Sequence, residues 1–564
     1  MQHPTPQPLD VICVGAGFSG LYVAYQAEQH DWSFAGFETA PDVGGTWYWN
    51  TYPGARCDVE SIYYSYSFSE ELQQEWTWSE RFAPQPEILR YINHVADRFD
   101  LRKYFTFNTK VTSGRWLPGE HLWEVTLDSG EVYRCRYLIS GAGGLSTPKD
   151  FDVPGIDNFT GITVSTSRWT IPLDDLAGKR VAVIGTGSSA VQAIPHIAAV
   201  AEHLTVFQRT PNYVFPARNA PLAPEDVERV KRDYAAIREE CRHSPGGIPD
   251  RPVTDKAFDV SDEERLRRYE QAYERSGFQG VGAEFADLLT DPEANKTATD
   301  FVCGKIREIV HDPKTAALLE PRFHPLGAKR SVFGTDYYET FNRPNVSLVS
   351  LREEPIETMT GDSIVTSAGS YEVDAIVLGI GFDAFTGPLF GLNLSAQDSG
   401  SLQRAWSDGV RTFLGIMTAG FPNFFMIGGP QSPAIVSNVT RHHRAGGRLG
   451  HRPDRARPRR GRRGHRGDSR STGRMGDHLR GRGRQNPLRH HRFLVPRLQR
   501  GRQTVHLPRV CRRCRQIPPH VHRARPPRLP RCATRRPHRR PQDRPHRRGH
   551  RLTGLRGRRH GPRR

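Results

Sequence analysis

The chain has 564 residues and a formal net charge of +19, but the excess positive charge comes from one end. Residues 441–564 contain 42 arginines, four aspartates and neither lysine nor glutamate, which leaves residues 1–440 with a net charge of −19. The overall charge therefore does not by itself indicate a nucleic-acid-binding protein. Eight cysteines, no secretory signal before the first strand and no apolar run of transmembrane length lead us to expect neither a disulfide-rich secreted protein nor a membrane protein. We expect a cytoplasmic protein without a metal site.

The first predicted unit is a strand, a glycine-rich turn and a helix. The apolar strand Leu9–Val14 leads into the motif Gly15-Ala16-Gly17-Phe18-Ser19-Gly20. Such a turn sets a pyrophosphate against a helix N-terminus, because glycine permits close approach and free N–H groups point at the anion. A strand over Ser33–Phe37 ends in Glu38, whose carboxylate is placed to accept hydrogen bonds from ribose hydroxyls. The unit predicts a site for FAD or NAD; a solvated surface glutamate is the alternative for Glu38.

The second predicted unit repeats this arrangement later in the chain. The strand Arg180–Ile184 leads into Gly185-Thr186-Gly187-Ser188-Ser189, and a strand over Leu204–Gln208 is followed by Arg209 and Thr210. A cation at this position suits the 2′-phosphate of NADP, whereas a solvated arginine is the alternative. Two such units in one chain predict two bound dinucleotides and electron transfer between them.

A segment after the first unit resembles a known family signature. Residues 45–58, Gly-Thr-Trp-Tyr-Trp-Asn-Thr-Tyr-Pro-Gly-Ala-Arg-Cys-Asp, resemble the flavin-side signature of Baeyer–Villiger monooxygenases. The resemblance implies that Gly45, Thr46, Trp47 and Asp58 lie at the flavin. Residues 159–170 resemble a second signature of the same family, but Ser165 stands where the family has histidine and Thr170 where it has proline or aspartate. Serine offers a hydroxyl but no titratable imidazole.

A third segment resembles the part of the family that carries its catalytic arginine. Residues 327–330, Gly-Ala-Lys-Arg, are followed by Asp-Tyr-Tyr-Glu at 336–339. The resemblance implies that Arg330 lies over the flavin and pairs with Asp58, and that Lys329 contacts the NADP 2′-phosphate. A guanidinium stays protonated at working pH and can stabilise developing oxygen anions. Without the resemblance, a surface Lys-Arg pair would be the simpler interpretation.

The predicted fold class is α/β, with two Rossmann-like dinucleotide-binding domains, an inserted helical subdomain and a disordered arginine-rich tail. The resemblance covers about residues 8 to 440. Helices are predicted over Pro224–Glu240 and Ser261–Ser276 within the insertion. The expected boundaries are 1–145 and 383–440 for the FAD domain, 146–382 for the NADP domain, 217–325 for its helical insertion and 441–564 for the tail.

The tail has the composition of GC-rich DNA translated out of frame. Arginine, proline, glycine and histidine dominate it and lysine is absent. Shifted by one base, residues 441–449 can encode an Ile-Glu-Gln segment ending in Asp-Trp, which resembles the family's next helix. Residues 493–515 can likewise encode a segment that resembles the family's C-terminal loop, whose tryptophan closes over NADP. The alternative is a genuine arginine-rich disordered arm that binds RNA.

These patterns predict an FAD-dependent monooxygenase that uses NADPH and O2 to convert a ketone into an ester or lactone. The alternatives are N- or S-hydroxylation by a related flavin monooxygenase and, from another class, nucleic-acid binding through the tail. We expect a monomer with a small-molecule ketone substrate and neither a nucleic-acid nor a membrane partner. The altered C-terminus predicts low or no activity for the chain as written.

Overall fold

The computed structural model describes residues 7–244, 246–249, 252–277 and 280–432. The tail at 441–564, predicted to be disordered and out of frame, lies outside the described residues. The strands are β1 (Leu9–Val14), β2 (Phe34–Phe37), β3 (Phe105–Thr106), β4 (Val111–Leu117), β5 (Leu122–Leu127), β6 (Val132–Ser140), β7 (Ile162–Ser165), β8 (Arg180–Ile184), β9 (His203–Gln208), β10 (Val214–Pro216), β11 (Val332–Gly334), β12 (Val346–Ser350), β13 (Ile356–Met359), β14 (Ser363–Thr366), β15 (Ser370–Glu372), β16 (Ala375–Leu378), β17 (Leu394–Ala396), β18 (Gly400–Ser401) and β19 (Phe424–Met426). The helices are α1 (Phe18–Gln29), α2 (Thr46–Trp49), α3 (Glu70–Glu75), α4 (Gln85–Arg98), α5 (Ser188–Val200), α6 (Pro224–His243), α7 (Asp262–Arg275), α8 (Pro292–Ile309), α9 (Pro313–Leu319), α10 (Tyr337–Thr340), α11 (Thr386–Phe390) and α12 (Leu402–Ala405).

The first nucleotide-binding unit is built on a parallel sheet with strand order β3-β2-β1-β6-β19. The middle of β1 is fully buried, as its run of apolar residues predicts. β4 and β5 extend the sheet from β6 in antiparallel order. β17 pairs with β4 and β19 with β6, so residues after 390 return to the sheet in which residues 9–140 lie.

The second nucleotide-binding unit is a fully parallel sheet with strand order β12-β9-β8-β16-β7. The carboxyl ends of β8 and β9 lie side by side, because Ile184 pairs with Phe207 in register. In an open α/β sheet, ligands bind at this edge. The parallel strands of the first sheet and the fully parallel second sheet confirm the predicted α/β fold with two Rossmann-like units.

Helices α6 to α9 form the segment that was predicted as a helical insertion. α7 begins after Ser261, whose hydroxyl accepts a hydrogen bond from the Glu264 N–H, and α8 begins after Asp291 in the same way. Tyr269 and Phe301 of these helices share a buried core with Val206 of β9. The insertion and the second sheet therefore share one core, and α9 contacts β12 of that sheet. The exact domain boundaries stay a prediction.

Two chain crossings connect the nucleotide-binding units, and they lie side by side. Pro148 and Phe382 form an isolated antiparallel bridge. The Lys149 N–H donates to the Gly381 carbonyl at 3.1 Å, and the Asp383 N–H donates to the Thr147 carbonyl at 2.9 Å. Among the described residues, no helix combines the length and apolar character needed to cross a membrane.

Candidate active site

The first glycine turn is shaped by very close backbone contacts. Gly15 has φ +100°, and a Cβ on it would lie 2.7 Å from the Gly141 carbonyl oxygen. A Cβ on Gly20 would lie 1.8 Å from the Gly15 carbonyl oxygen, so α1 packs against the turn at a distance that only glycine permits. The turn residues Phe18 and Ser19 are buried at the start of α1. The turn therefore has the form that pyrophosphate binding requires.

Gly17 brings the first turn against the loop that carries the family signature. A Cβ on Gly17 would lie 3.3 Å from Cα of Gly45, and a Cβ on Gly45 would lie 2.9 Å from Cα of Gly17. Gly17 precedes α1 without a side-chain cap, so no side chain of the cap residue satisfies the first backbone N–H groups of the helix. The glycines form a cradle that any side chain would fill, which fits the close approach of a flavin dinucleotide.

Replacing Gly17 by valine is expected to abolish flavin binding, because the added side chain would occupy the space between the two loops. Absorbance of bound flavin in the purified, folded protein measures the effect. The variant Gly119→Val is a suitable control, since no atom lies within 4 Å of a Cβ at that exposed glycine. A folded Gly17→Val protein that retains its flavin colour would contradict the predicted site.

Glu38 lies directly after β2 and is buried against the first turn. Its carboxylate accepts hydrogen bonds from the Ala16 N–H at 2.6 Å and from the Ala40 N–H at 2.8 Å. These bonds hold the carboxylate at the strand end. A carboxylate has further lone pairs, so the same group can also accept bonds from ribose hydroxyls.

The segment at 45–58 begins with the short helix α2, which packs against the aromatic side chain of Tyr64. Thr46 starts α2, and its carbonyl accepts bonds from both the backbone and the side-chain nitrogen of Asn50, at 3.0 and 2.8 Å. Trp47 is buried, and its indole Nε1 donates to the Tyr64 hydroxyl at 3.1 Å. Tyr64 packs edge-on against Phe18 of the first turn. Residues 45–58, which we call the signature loop, are thereby attached to the start of α1.

The second glycine turn repeats the geometry of the first. Gly185 has φ +109°, and a Cβ on it would lie 2.5 Å from the Gly379 carbonyl oxygen. Space is open in front of Gly187, which precedes α5 without a side-chain cap, and Ser188 begins the helix. The turn is joined to its surroundings by two hydroxyl bonds: Thr186 Oγ1 to the Thr210 carbonyl at 3.2 Å, and Ser189 Oγ to Thr166 Oγ1 at 2.8 Å.

A contact between the two units, which sequence reasoning missed, holds the signature loop on α5. The Tyr52 hydroxyl donates to Gln192 Oε1 at 2.9 Å, and Gln192 Nε2 donates to the Arg56 carbonyl at 3.2 Å. Gly54 has φ +78°, and a Cβ on it would lie 2.6 Å from the Gln192 carbonyl oxygen. The Tyr-Pro-Gly turn therefore fits directly against the helix that begins at the second glycine turn.

Arg330 and Asp58 form a bidentate ion pair across a separation of 272 residues. Arg330 Nε donates to Asp58 Oδ2 at 2.5 Å, and Nη2 donates to Oδ1 at 2.9 Å. Burial alone would lower the pKa of Arg330, but the charge and hydrogen bonds of Asp58 outweigh it and raise that pKa above its ordinary value. The guanidinium is therefore charged at any working pH. The charges of both groups act on Tyr64, which bonds to Trp47 of the signature loop.

Arg209 and Thr210 follow β9 at its carboxyl end, and the charge of Arg209 acts on Lys329. Burial of part of Lys329, and then the charges of Arg209 and Arg352, lower the pKa of its ammonium below the ordinary value. Arg352 is a further cation here that sequence reasoning missed. It follows β12 by two residues, and only the pairing of β12 with β9 places it beside Arg209. An arginine just after an apolar strand is too weak a signal to find it from sequence.

Ser165 ends β7 in a small network of hydroxyls. Its Oγ lies 2.8 Å from Ser167 Oγ and donates to the Leu378 carbonyl at 3.3 Å. Arg168, which was not singled out from the sequence, lies over the Trp49 ring at 4.3 Å. Thr170 follows Trp169, whose carbonyl accepts a bond from Thr51 at 3.3 Å. The second signature segment, residues 159–170, thus contacts residues 45–58 through Arg168 and Trp169.

The fold and site together define a class of protein. Two glycine turns, each at the carboxyl edge of a parallel sheet, suit two dinucleotides, and a charged guanidinium is fixed beside the loop of the first unit. This is the arrangement of an oxidoreductase that passes electrons from one dinucleotide to another. Residues 12–238 match the family model described as pyridine nucleotide-disulphide oxidoreductase.

Similar proteins of known activity narrow this class of oxidoreductases to monooxygenases. The chain is 44% identical to the 2-oxo-Delta(3)-4,5,5-trimethylcyclopentenylacetyl-CoA monooxygenase of Pseudomonas putida over 437 residues, which cover 76% of this chain and 80% of that protein. It is 40% identical over 427 residues to a Baeyer-Villiger monooxygenase of Pseudooceanicola batsensis, covering 75% and 78% of the two chains. It is also 40% identical over 441 residues to a phenazine N-monooxygenase of Lysobacter antibioticus, covering 76% and 81%.

Solved structures agree with these relatives. An oxidized steroid monooxygenase bound to NADP is 48% identical with a TM-score of 0.76, and the match covers 79% of this chain and 85% of that one. The complex of OTEMO with FAD and NADP is 44% identical with a TM-score of 0.75, covering 78% and 82%. The chain belongs to the Baeyer–Villiger monooxygenase family of flavoproteins.

Proposed function

We propose that this chain is an FAD-dependent monooxygenase that uses NADPH and O2 to insert one oxygen atom next to a ketone carbonyl. The products are an ester or lactone, NADP⁺ and water. The observation that carries the proposal is the bidentate Arg330–Asp58 pair beside the signature loop. The family membership and the two glycine turns support the cofactor assignment.

Each of the chain's own groups has a defined part in this reaction. The first turn and Glu38 bind FAD, which supplies the electron transfer and O2 activation when reduced. The second turn, Arg209, Thr210 and Lys329 bind NADPH. Arg330 holds a permanent positive charge that stabilises negative charge developing on oxygen during attack on the ketone. Asp58 orients the guanidinium through two hydrogen bonds and so keeps it in one position beside the flavin site.

Oxidation of a nitrogen or sulfur atom is the less favoured alternative. One relative is a phenazine N-monooxygenase, so the family fold also occurs with that activity. A fixed cation is better suited to a reaction that needs an oxygen anion to attack a carbonyl. Conversion of a panel of cyclic ketones, set beside a panel of amines and sulfides, tests the proposal. Oxidation of amines or sulfides without any ester or lactone from ketones would contradict it.

The remaining assignments concern partners and location. A small-molecule substrate and O2 fit the family to which the chain belongs. A monomeric state, a cytoplasmic location and the absence of nucleic-acid binding stay predictions. RNA affinity measured with and without residues 441–564 tests the alternative that this chain is a nucleic-acid-binding protein.

Replacing Arg209 by alanine is expected to weaken NADPH binding selectively. A charge-assisted hydrogen bond to a phosphate contributes about 1.5–3 kcal/mol, and the lower value applies to an exposed side chain. NADPH affinity should therefore fall about tenfold while NADH affinity changes little. Titration of the FAD-loaded protein with each nucleotide measures this. Equal losses for both nucleotides would show that Arg209 does not contact the 2′-phosphate.

A further inference from the structure

Arg352 lies beside Arg209 at the carboxyl end of β9, and both charges act on Lys329; we call these three cations the cation cluster. β12 runs parallel to β9, with Ser350 opposite Gln208. The Leu351 N–H continues the pairing by donating to the Gln208 carbonyl at 2.8 Å. The parallel register of β12 and β9 therefore places Arg352 at the same end of the sheet as Arg209.

Arg352 is exposed but held in one position. Its Nε donates to the Arg209 carbonyl at 2.8 Å, and its Nη2 donates to Thr210 Oγ1 at 3.3 Å. Its guanidinium carbon lies 3.9 Å from the ring centre of Phe323, and Phe323 is itself 57% exposed. An arginine that is merely solvated would not combine two hydrogen bonds with a stacked ring. The two bonds leave the Nη1 hydrogens for an anion.

The cluster lacks a negative partner within the described part of the chain. None of its three members forms an ion pair with a carboxylate within 4.0 Å there. The nearby Arg322, by contrast, pairs with both Glu320 and Asp300. Mutual repulsion in the cluster contributes to the lowered pKa of Lys329. A phosphate monoester, with a charge of about −1.5 to −2, would offset this repulsion.

We propose that Arg352 is a third binding residue for the 2′-phosphate of NADP(H) and so contributes to the preference for NADP(H) over NAD(H). The inference rests on the proposed function, because it deepens the assignment of the second nucleotide site. Arg209 and Lys329 supply charge, and Arg352 supplies a planar guanidinium whose direction is fixed by Thr210 and Phe323. A lysine would keep the charge but lose that fixed geometry.

Calorimetric titration of the full FAD-loaded chain with NADP⁺ and with NAD⁺ tests the inference. The variants are R352Q, R352K and the control R343Q, which removes an exposed arginine outside the cluster. R352Q is expected to raise the Kd for NADP⁺ about tenfold and to leave the Kd for NAD⁺ within about twofold. R352K should fall between R352Q and the unaltered chain. The dependence of NADP⁺ affinity on salt concentration should weaken in R352Q, since one cation fewer contacts the phosphate.

Two results would overturn the role of Arg352. One is an R352Q variant with the NADP⁺ affinity of R343Q, and the other is an equal loss of affinity for NADP⁺ and NAD⁺. The second result would show that Arg352 only supports the loop. An unaltered chain that shows no preference for NADP⁺ would instead overturn the proposed nucleotide site, and this inference with it.

Discussion

Restoring the reading frame near the codons for Val439–Arg441 is expected to raise ketone-dependent NADPH consumption by orders of magnitude. The loop at 412–417 bonds to the last described turn: Thr412 Oγ1 donates to the Pro430 carbonyl at 3.1 Å. Phe413 and Leu414 of that loop are 68% and 63% exposed. A family-like C-terminus would continue from this turn and cover these two apolar side chains. The 124 residues at 441–564 are instead rich in arginine and offer few apolar groups to do so.

A single-base deletion or insertion at these codons supplies the corrected protein, and NADPH consumption with and without ketone measures the gain. The control is a chain that stops after Asn438, which removes the tail without adding the family-like segment. Activity that rises in the corrected protein but not in the shortened one would assign the effect to the restored segment. Equal ketone oxidation by the chain as written would contradict the frameshift hypothesis.

Replacing Arg330 by alanine in the corrected enzyme is expected to leave FAD bound but to reduce ester or lactone formation. Loss of one preorganised group that stabilises an oxyanion typically costs about a hundredfold to a thousandfold in rate. The pair with Asp58 is bidentate, so removal of the guanidinium also leaves that partly buried carboxylate without its counter-charge. We expect NADPH oxidation to continue and to yield hydrogen peroxide in place of oxygenated product.

Product yield, NADPH consumption and hydrogen peroxide are measured together, so that loss of oxygen transfer is distinguished from loss of electron transfer. Arg343→Ala, at an exposed arginine outside the site, is the control for loss of a positive charge alone. Because the pKa of Arg330 is raised, its own deprotonation should not appear in the pH profile of the unaltered enzyme. Undiminished lactone formation by Arg330→Ala would remove this residue from the mechanism.

Local features were predictable from the sequence because neighbouring residues determine them. The strands Leu9–Val14 and Arg180–Ile184 have the predicted bounds, since an apolar run ended by glycine leaves little choice of boundary. The predicted helix over 261–276 is observed at Asp262–Arg275, with Ser261 as its cap. The family resemblance carried the prediction that Arg330 and Asp58 meet, although nothing local in either segment requires it.

The arrangement of the sites was decided only by the tertiary structure. Arg352 reaches Arg209 because β12 is the neighbour of β9, and strand order is not encoded in the composition of either strand. Gln192 bonds to Tyr52 because α5 packs on the signature loop of the other unit. These contacts join residues more than 130 positions apart, so their energies depend on the packing of whole sheets and helices. The sequence by itself determined two glycine turns and the charges that follow them, whereas long-range packing decided which of those charges share a site.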